Sequence, residues 1–229
     1  MRLVLASRSP QRRAILEQLG VAFEVVVSDA EELAEGDDPV AVAVENARRK
    51  AQAVARTGPV GSGCAPVRLP AAGRASAPPP ARSASPPPAR SAAPSSPSMP
   101  VVGVDTVVVL DGVIYGKPAD AAEARAVLSR LSGRVHEVVS GIAVVEEGET
   151  RTACATTRVS FRALDAATLD WYLATEEWRE RAGGYAIQGR GAALVAGIEG
   201  DYLNVVGLPV TALLELLPSI VQGDAHPPV

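Results

Sequence analysis

The hydrophobic and polar positions of the chain change period several times, and each change marks an element. Leu3 to Ala6 form a short apolar run, read as a buried strand, that passes directly into Ser7, Arg8, Ser9 and Pro10. A helix is predicted next, because Ser9 suits the N-cap, Pro10 the first helical position and Gly20 the residue after the C-cap, while Ile15, Leu16 and Leu19 share a face. Phe23 to Val27 reads as a second strand and the acidic stretch Asp29 to Asp38 as a loop. A second helix starts at Asp38 and Pro39, with Val40, Val44, Ala47, Ala51 and Val54 along one side. After a break, VVGVDTVVVL from Val101 is β-branched almost throughout. Asp111 and Gly112 then give a type I′ turn signal, and Val113 to Tyr115 returns as a hairpin strand. Asp120 and Glu123 resemble a capping box ahead of Ala124, Val127, Leu128 and Leu131, and Gly133 stops that helix. Val135 to Val145 and Thr150 to Phe161 alternate as two long antiparallel strands around Glu147 and Gly148, with helices over Leu164 to Leu173 and Pro209 to Leu217. Strands interspersed with helices and joined by hairpins imply an α/β fold with a mixed sheet.

Composition changes the picture at one place. The 43-residue window from Gly58 to Pro100 holds 12 of the 19 Pro, four Arg and no Asp or Glu, and includes two copies of PPPARSA. Such text cannot bury enough apolar surface to offset its ordering entropy, so it is expected to be a disordered insertion, or a polyproline ligand for a partner. The domain is therefore read as a single one spanning 1–229, interrupted at about 58–100, with a frayed tail at 219–229. The window carries a charge of +4, which leaves −8 on the remaining 186 residues and argues against a surface that coats a nucleic-acid polymer. The two Cys, Cys64 and Cys154, lie far apart, so no disulfide framework is indicated. The N-terminal apolar run is too short for a signal peptide, and no stretch approaches the roughly 18 apolar residues of a membrane span. A chain in the reducing cytoplasm, with no membrane partner, is expected.

Several residues could carry chemistry. Asp105 interrupts a β-branched strand, where a carboxylate is costly unless it is paired or coordinated; an exposed strand face is the alternative. Ser7, Ser9, Arg12 and Arg13 cluster at a helix start, where hydroxyls, free N–H groups and guanidiniums could cradle a phosphate. Arg in a first helical turn opposes the helix dipole, a cost that a bound anion would reverse. Lys50 and Lys117 are the only Lys of an Arg-rich chain. Glu31, Glu32 and Glu35 of the acidic loop could supply a second carboxylate, and spacing does not rank them. No grouping of His, Cys and carboxylate has zinc-site spacing, and His136 and His226 stand apart. Gly183, Gly184 and Gly189 do not form a dinucleotide fingerprint; a tight turn placing Gln188 is the better reading.

Taken together, LASRSPQRR, VGVDTVVV with the following GKP, SGRVHEVVSG, AGGYAIQG and NVVGLP occur in the order seen in Maf-like nucleoside triphosphate pyrophosphatases, and the chain resembles that family over nearly its whole length outside the Pro-rich window. The resemblance implies two lobes around a deep cleft, and cleavage of a nucleoside triphosphate between its α and β phosphates with a divalent cation, Mg²⁺ or Mn²⁺. It also implies roles residue by residue. Asp105 matches the proton acceptor, Ser7, Arg12 and Arg13 the phosphate-binding motif, Lys50 and Lys117 the lysines of the cleft, and Glu32 the carboxylate of the acidic loop. The metal would fall to Asp105 and Glu32. Base choice would fall to Gln11, Thr106 and Gln188; Thr106 and Gln188 follow the dTTP/UTP pattern, whereas Gln11 stands where Arg or Trp is expected. A Gln amide, both donor and acceptor, suits the carbonyl and N3–H edge of uracil or thymine. Trp178 replaces an expected Pro and is placed near the rim of the cleft. The resemblance also carries two alternatives, a nucleotide-binding regulator of cell division and septum formation, or a 7-methyl-GTP enzyme, and it leaves a homodimer open.

Overall fold

The alternating and helical stretches fold into one seven-stranded mixed sheet with helices against both faces, an α/β architecture. The computed structural model describes residues 2–34, 36–57 and 99–221. The strands are β1 (Arg2–Leu5), β2 (Ala22–Val25), β3 (Val101–Leu110), β4 (Val113–Tyr115), β5 (Val135–Glu146), β6 (Glu149–Phe161) and β7 (Val195–Glu199). The helices are α1 (Pro10–Gln18), α2 (Pro39–Thr57), α3 (Ala121–Leu131), α4 (Ala166–Leu173), α5 (Tyr202–Val206) and α6 (Val210–Leu216). Strand order is β2-β1-β3-β5-β6-β7, with β4 also on β3; β1 runs parallel to β2 and β3, and the remaining pairs are antiparallel.

Most of the local signals act as expected, although Leu19, read with Ile15 and Leu16 on one face, is exposed. Gly20, at φ +67°, follows the C-cap Leu19 of α1. Asp111 and Gly112 both take positive φ in the hairpin turn, and Asp120 accepts a hydrogen bond from the Glu123 amide at 2.8 Å to cap α3. The Pro-rich window is outside the described residues apart from Met99 and Pro100. Pro100 is already part of the fold, since its carbonyl accepts from the Val4 amide at 2.8 Å. Ile220 is buried in the main core, so residue 219 does not begin a frayed tail; residues 222–229 are outside the described residues.

Residue parity on β3 organises the core. Val101, Val107 and Val109 face α2, whose Ala43, Ala47, Ala51 and Val54 cover that side of the sheet. The even residues split into two groups on the other face. Val102 and Val104 pack with α1 and α6, whereas Val108 and Leu110 pack with α3, α4, Trp178 and Tyr185. Thr106 stands between the two groups, paired in register with Ser140 of β5, so a polar row divides the apolar face.

Glycine sets how closely α2 approaches. A Cβ at Gly103 would overlap the Ala47 carbonyl oxygen and lie 2.7 Å from the Ala51 amide, and one at Gly141 on β5 would overlap the Ala43 backbone. Both are helix backbone contacts, so neither can yield by a change of rotamer. α2 therefore sits directly on the sheet, and the residues it carries toward Asp105 arrive at hydrogen-bonding range.

Candidate active site

One edge of β3 is only partly paired. β1 pairs with Val101 and Val102, β4 with Val108 to Leu110, and between them Gly103 to Val107 have no strand on that side. The turn from Ala6 to Arg12 fills the gap. Arg12 Nη1 donates to the Val104 carbonyl at 2.9 Å and to Ser7 Oγ at 3.0 Å, Nε to the Gly207 carbonyl at 2.8 Å, and Nη2 to Thr106 Oγ1 at 3.1 Å. A side chain thus supplies the donor that a neighbouring strand would have supplied. Burial pushes the Arg12 pKa down, while the charges of Asp105 and Glu32 oppose that shift.

Asp105, at the centre of the gap, is 6% exposed. Lys50 Nζ donates to its Oδ1 at 2.7 Å and Asn46 Nδ2 to its Oδ2 at 3.0 Å; Lys50 and Asn46 are one helical turn apart on α2. Lys50 Nζ also meets Glu32 Oε1 at 3.0 Å. Asn46 returns to the same loop, its Oδ1 accepting from the Leu33 amide at 2.7 Å and its Nδ2 donating to the Leu33 carbonyl at 3.0 Å. The result is a closed ring, Asp105 to Lys50 to Glu32, along the chain to Leu33, and back through Asn46. The family resemblance pointed to Glu32 and not to Asn46, whose only signal was its place four residues before Lys50 on the buried side of a helix. Asn46→Leu removes three hydrogen bonds while keeping the branching of the side chain. The Leu33 amide should then exchange faster in hydrogen-exchange measurements, with a stability loss of about 1–3 kcal/mol by thermal melting. An unchanged Leu33 amide would show that Asn46 does not tether the loop.

Asp105 and Thr106 open onto a cavity of about 760 Å³. Ser7, Arg8, Ser9, Gln11 and Arg12 form part of its wall, Glu32 and Lys50 another, and Lys117, Glu180, Arg181 and Gln188 a third. Ser9 occupies the N-cap of α1 but makes no side-chain capping bond; its hydroxyl donates to Gln11 Oε1 at 2.9 Å. The helix start keeps unsatisfied N–H groups beside the cavity, which favours an anion. Lys117 pairs with Glu180 at 3.0 Å, both exposed, which holds the Glu180 carboxyl below its ordinary range.

The family model described as Maf-like protein matches residues 2–220. The chain belongs to the Maf family. Among curated proteins, this Maf chain is 40% identical to a dTTP/UTP pyrophosphatase of Symbiobacterium thermophilum, covering 94% of this chain and 92% of the relative. It is 40% identical to one of Gloeobacter violaceus over 95% of both chains, and 35% identical to one of Pyrococcus furiosus over 94% of both.

Placed on this Maf chain, the expected site residues divide. Ser7, Arg12, Glu32, Lys50, Asp105, Lys117, Gln11, Thr106 and Gln188 all line the cavity. Arg13 does not; it is exposed on α1 away from the lining, and Arg8 and Arg181, which sequence reading passed over, supply guanidiniums in the wall. Trp178 is not at a rim: it is 2% exposed in the core beside Tyr172, with Nε1 donating to the Leu173 carbonyl at 3.3 Å. The Gln188 turn is fixed from below, since Tyr172 Oη accepts from the Ala186 amide at 3.0 Å and Glu177 Oε2 accepts from the Arg190 amide at 2.7 Å. His136 is buried against Phe161 and Tyr185, with Nε2 2.9 Å from Tyr185 Oη; burial pushes its pKa down to about 4, so the neutral ring serves the core. Among the described residues no helix is long and apolar enough to cross a membrane.

Proposed function

We propose that the chain is a nucleoside triphosphate pyrophosphatase of the nucleotide pool, hydrolysing dTTP, UTP and modified pyrimidine triphosphates to the monophosphate and pyrophosphate in the cytoplasm. The observation that carries this reading is the buried Asp105 carboxylate, held by Lys50 and Asn46, on the wall of a cavity with five cationic side chains. The names of the relatives support the same substrate class.

In this reading the start of α1 and the cations Arg8 and Lys117 bind the polyphosphate, while Gln188 reads the base. Gln188 is exposed and its amide has no hydrogen bond within the described residues, which leaves donor and acceptor free for a pyrimidine edge. Thr106 is committed to Arg12 and Ser140, so its influence on base choice runs through the shape of the wall. Each Asp105 oxygen keeps lone pairs beyond those used by Lys50 and Asn46 and accepts a proton from an attacking water. Water oxygen bonds to the α phosphorus, the bond from that phosphorus to the α–β bridging oxygen breaks, and pyrophosphate leaves with the bridging oxygen. Arg12, by fixing Ser7 and the β3 edge, keeps the phosphate-binding turn and Asp105 in one frame.

The donor set also fits Mg²⁺ or Mn²⁺. Asp105 and Glu32 are hard oxygen donors that both reach Lys50 Nζ, so an ion would sit beside that ammonium and not between the carboxylates; no group of three or more His, Cys, Asp or Glu capable of holding a metal occurs among the described residues. Two carboxylates completed by substrate oxygens and water are how Mg²⁺ is commonly held. Such an ion supplies neutralisation of triphosphate charge and polarisation of the phosphoryl oxygens.

A panel of nucleoside triphosphates assayed with Mg²⁺ tests the reading. Pyrophosphate and monophosphate should appear, fastest from dTTP and UTP; turnover to the diphosphate and orthophosphate would overturn the assigned bond.

A further inference from the structure

One cation of the cavity wall lacks what the other four have. Lys50 is held by Asp105 and Glu32, Lys117 by Glu180, Arg8 by Asp29 at 4.0 Å, and Arg12 by its hydrogen bonds to Ser7, Val104, Thr106 and Gly207. Arg181 has no ion pair among the described residues. Its one side-chain hydrogen bond there runs from Nη1 to the Glu180 carbonyl at 3.4 Å, and its buried Nε–H has no acceptor. The guanidinium is half-buried, and burial pushes its pKa down against the opposing influence of Tyr172, Glu177 and Glu180. It has given up hydration for a single long hydrogen bond from the protein, an unusual condition for a group with five donors.

The backbone holds it there. Glu180 takes φ +57°, a left-handed conformation costly for a side-chain-bearing residue, and immediately after Arg181 the turn Ala182–Gly184 is tied to the hairpin exit by Gly183 N donating to the Gly116 carbonyl at 3.0 Å. Gly183 is also left-handed, and a Cβ there would stand 2.7 Å from Val108 Cγ2, so the turn lies tightly on β3. Lys117 and Arg181 thus line the same cavity, the first paired with Glu180 and the second with no ion pair among the described residues.

We infer that Arg181 is a phosphate-binding residue of this cavity, its fork taking non-bridging oxygens of the bound polyphosphate next to Lys117. The inference rests on the cavity being the triphosphate site and adds a residue to it. A planar fork matches two phosphate oxygens where an ammonium offers a point charge, so Lys is an incomplete substitute.

Binding of inorganic tripolyphosphate to the full chain, followed by calorimetry in metal-free buffer, tests this directly. Arg181→Met should weaken binding roughly 10-fold or more, with Arg181→Lys between it and the unaltered protein. In turnover of dTTP, Arg181→Met should raise KM by a similar factor and change kcat by less. Should Arg181→Met fail to fold, Arg181→Gln is read by the same criterion. Affinity within about twofold of the unaltered chain, or no tripolyphosphate binding by that chain at all, overturns the inference. A chain that binds tripolyphosphate through Arg181 yet releases no pyrophosphate from any nucleotide overturns the proposed activity and leaves this residue's role standing.

Discussion

Asp105→Asn should lower pyrophosphate release by about 10³-fold, within the range expected when a positioned general base is lost, while nucleotide binding changes only a few-fold. The substitution keeps shape and volume and removes the carboxylate that serves as proton acceptor in the proposed mechanism. Breaking a buried ion pair ordinarily leaves the partner charge stranded. Here Lys50 retains Glu32 at 3.0 Å, so the ammonium is not orphaned and the variant should fold. Activity by a pyrophosphate assay, with circular dichroism to confirm the fold, separates the two effects. More than about a tenth of the original rate would remove Asp105 from the role of proton acceptor.

Gly103→Val should be the most damaging single change away from the reacting groups. The added side chain meets helix backbone at Ala47 and Ala51, contacts that no rotamer change relieves, so α2 must lift. Overpacking of this kind costs about 3 kcal/mol or more, which for a domain of this size lowers Tm by about 6–12 °C. Activity should fall further than stability does, because Asn46 and Lys50 ride on the displaced helix. Gly197→Ala is the matched control: its added Cβ meets nothing within 4 Å, on the edge strand β7. If Gly103→Val melts with the unaltered protein, the close seating of α2 is not what holds the site together.

Much of this was legible in the chain, and the reasons are local. β3, β5 and β6 announce themselves because β-branched residues recur along ten or more positions with no helical period, and the hairpin turns at Asp111 and Glu147 carry the Gly that their positive φ favours. β7 was missed because it is five residues long, interrupted by Gly197 and almost wholly exposed, so no alternation reveals it. α5 is a single capped turn, too short for a helical period. In the site, Asp105 stood out because a carboxylate among valines demands an explanation. Asn46 and Arg181 did not, because an Asn on a helix and an Arg in a charged stretch are ordinary until three-dimensional neighbours show what one is bonded to and the other is not. Arg13 was misplaced by proximity in sequence, since on a helix adjacent residues point about 100° apart and Arg12 alone faces β3. The Trp178 expectation fails because an indole at that point can pack with Tyr172 and satisfy its N–H on the Leu173 carbonyl.

The division of the site between the two ordered stretches of the chain has a consequence for how function reports on folding. Ser7, Arg12, Glu32 and Lys50 all precede residue 58, and Asp105, Thr106, Lys117 and Gln188 all follow residue 98. Neither stretch holds both the Asp105 carboxylate and the Lys50 ammonium bonded to it. Hydrolysis is therefore a readout of assembly: selection on turnover acts on the docking of β1 and α2 against β3, however long the intervening text grows.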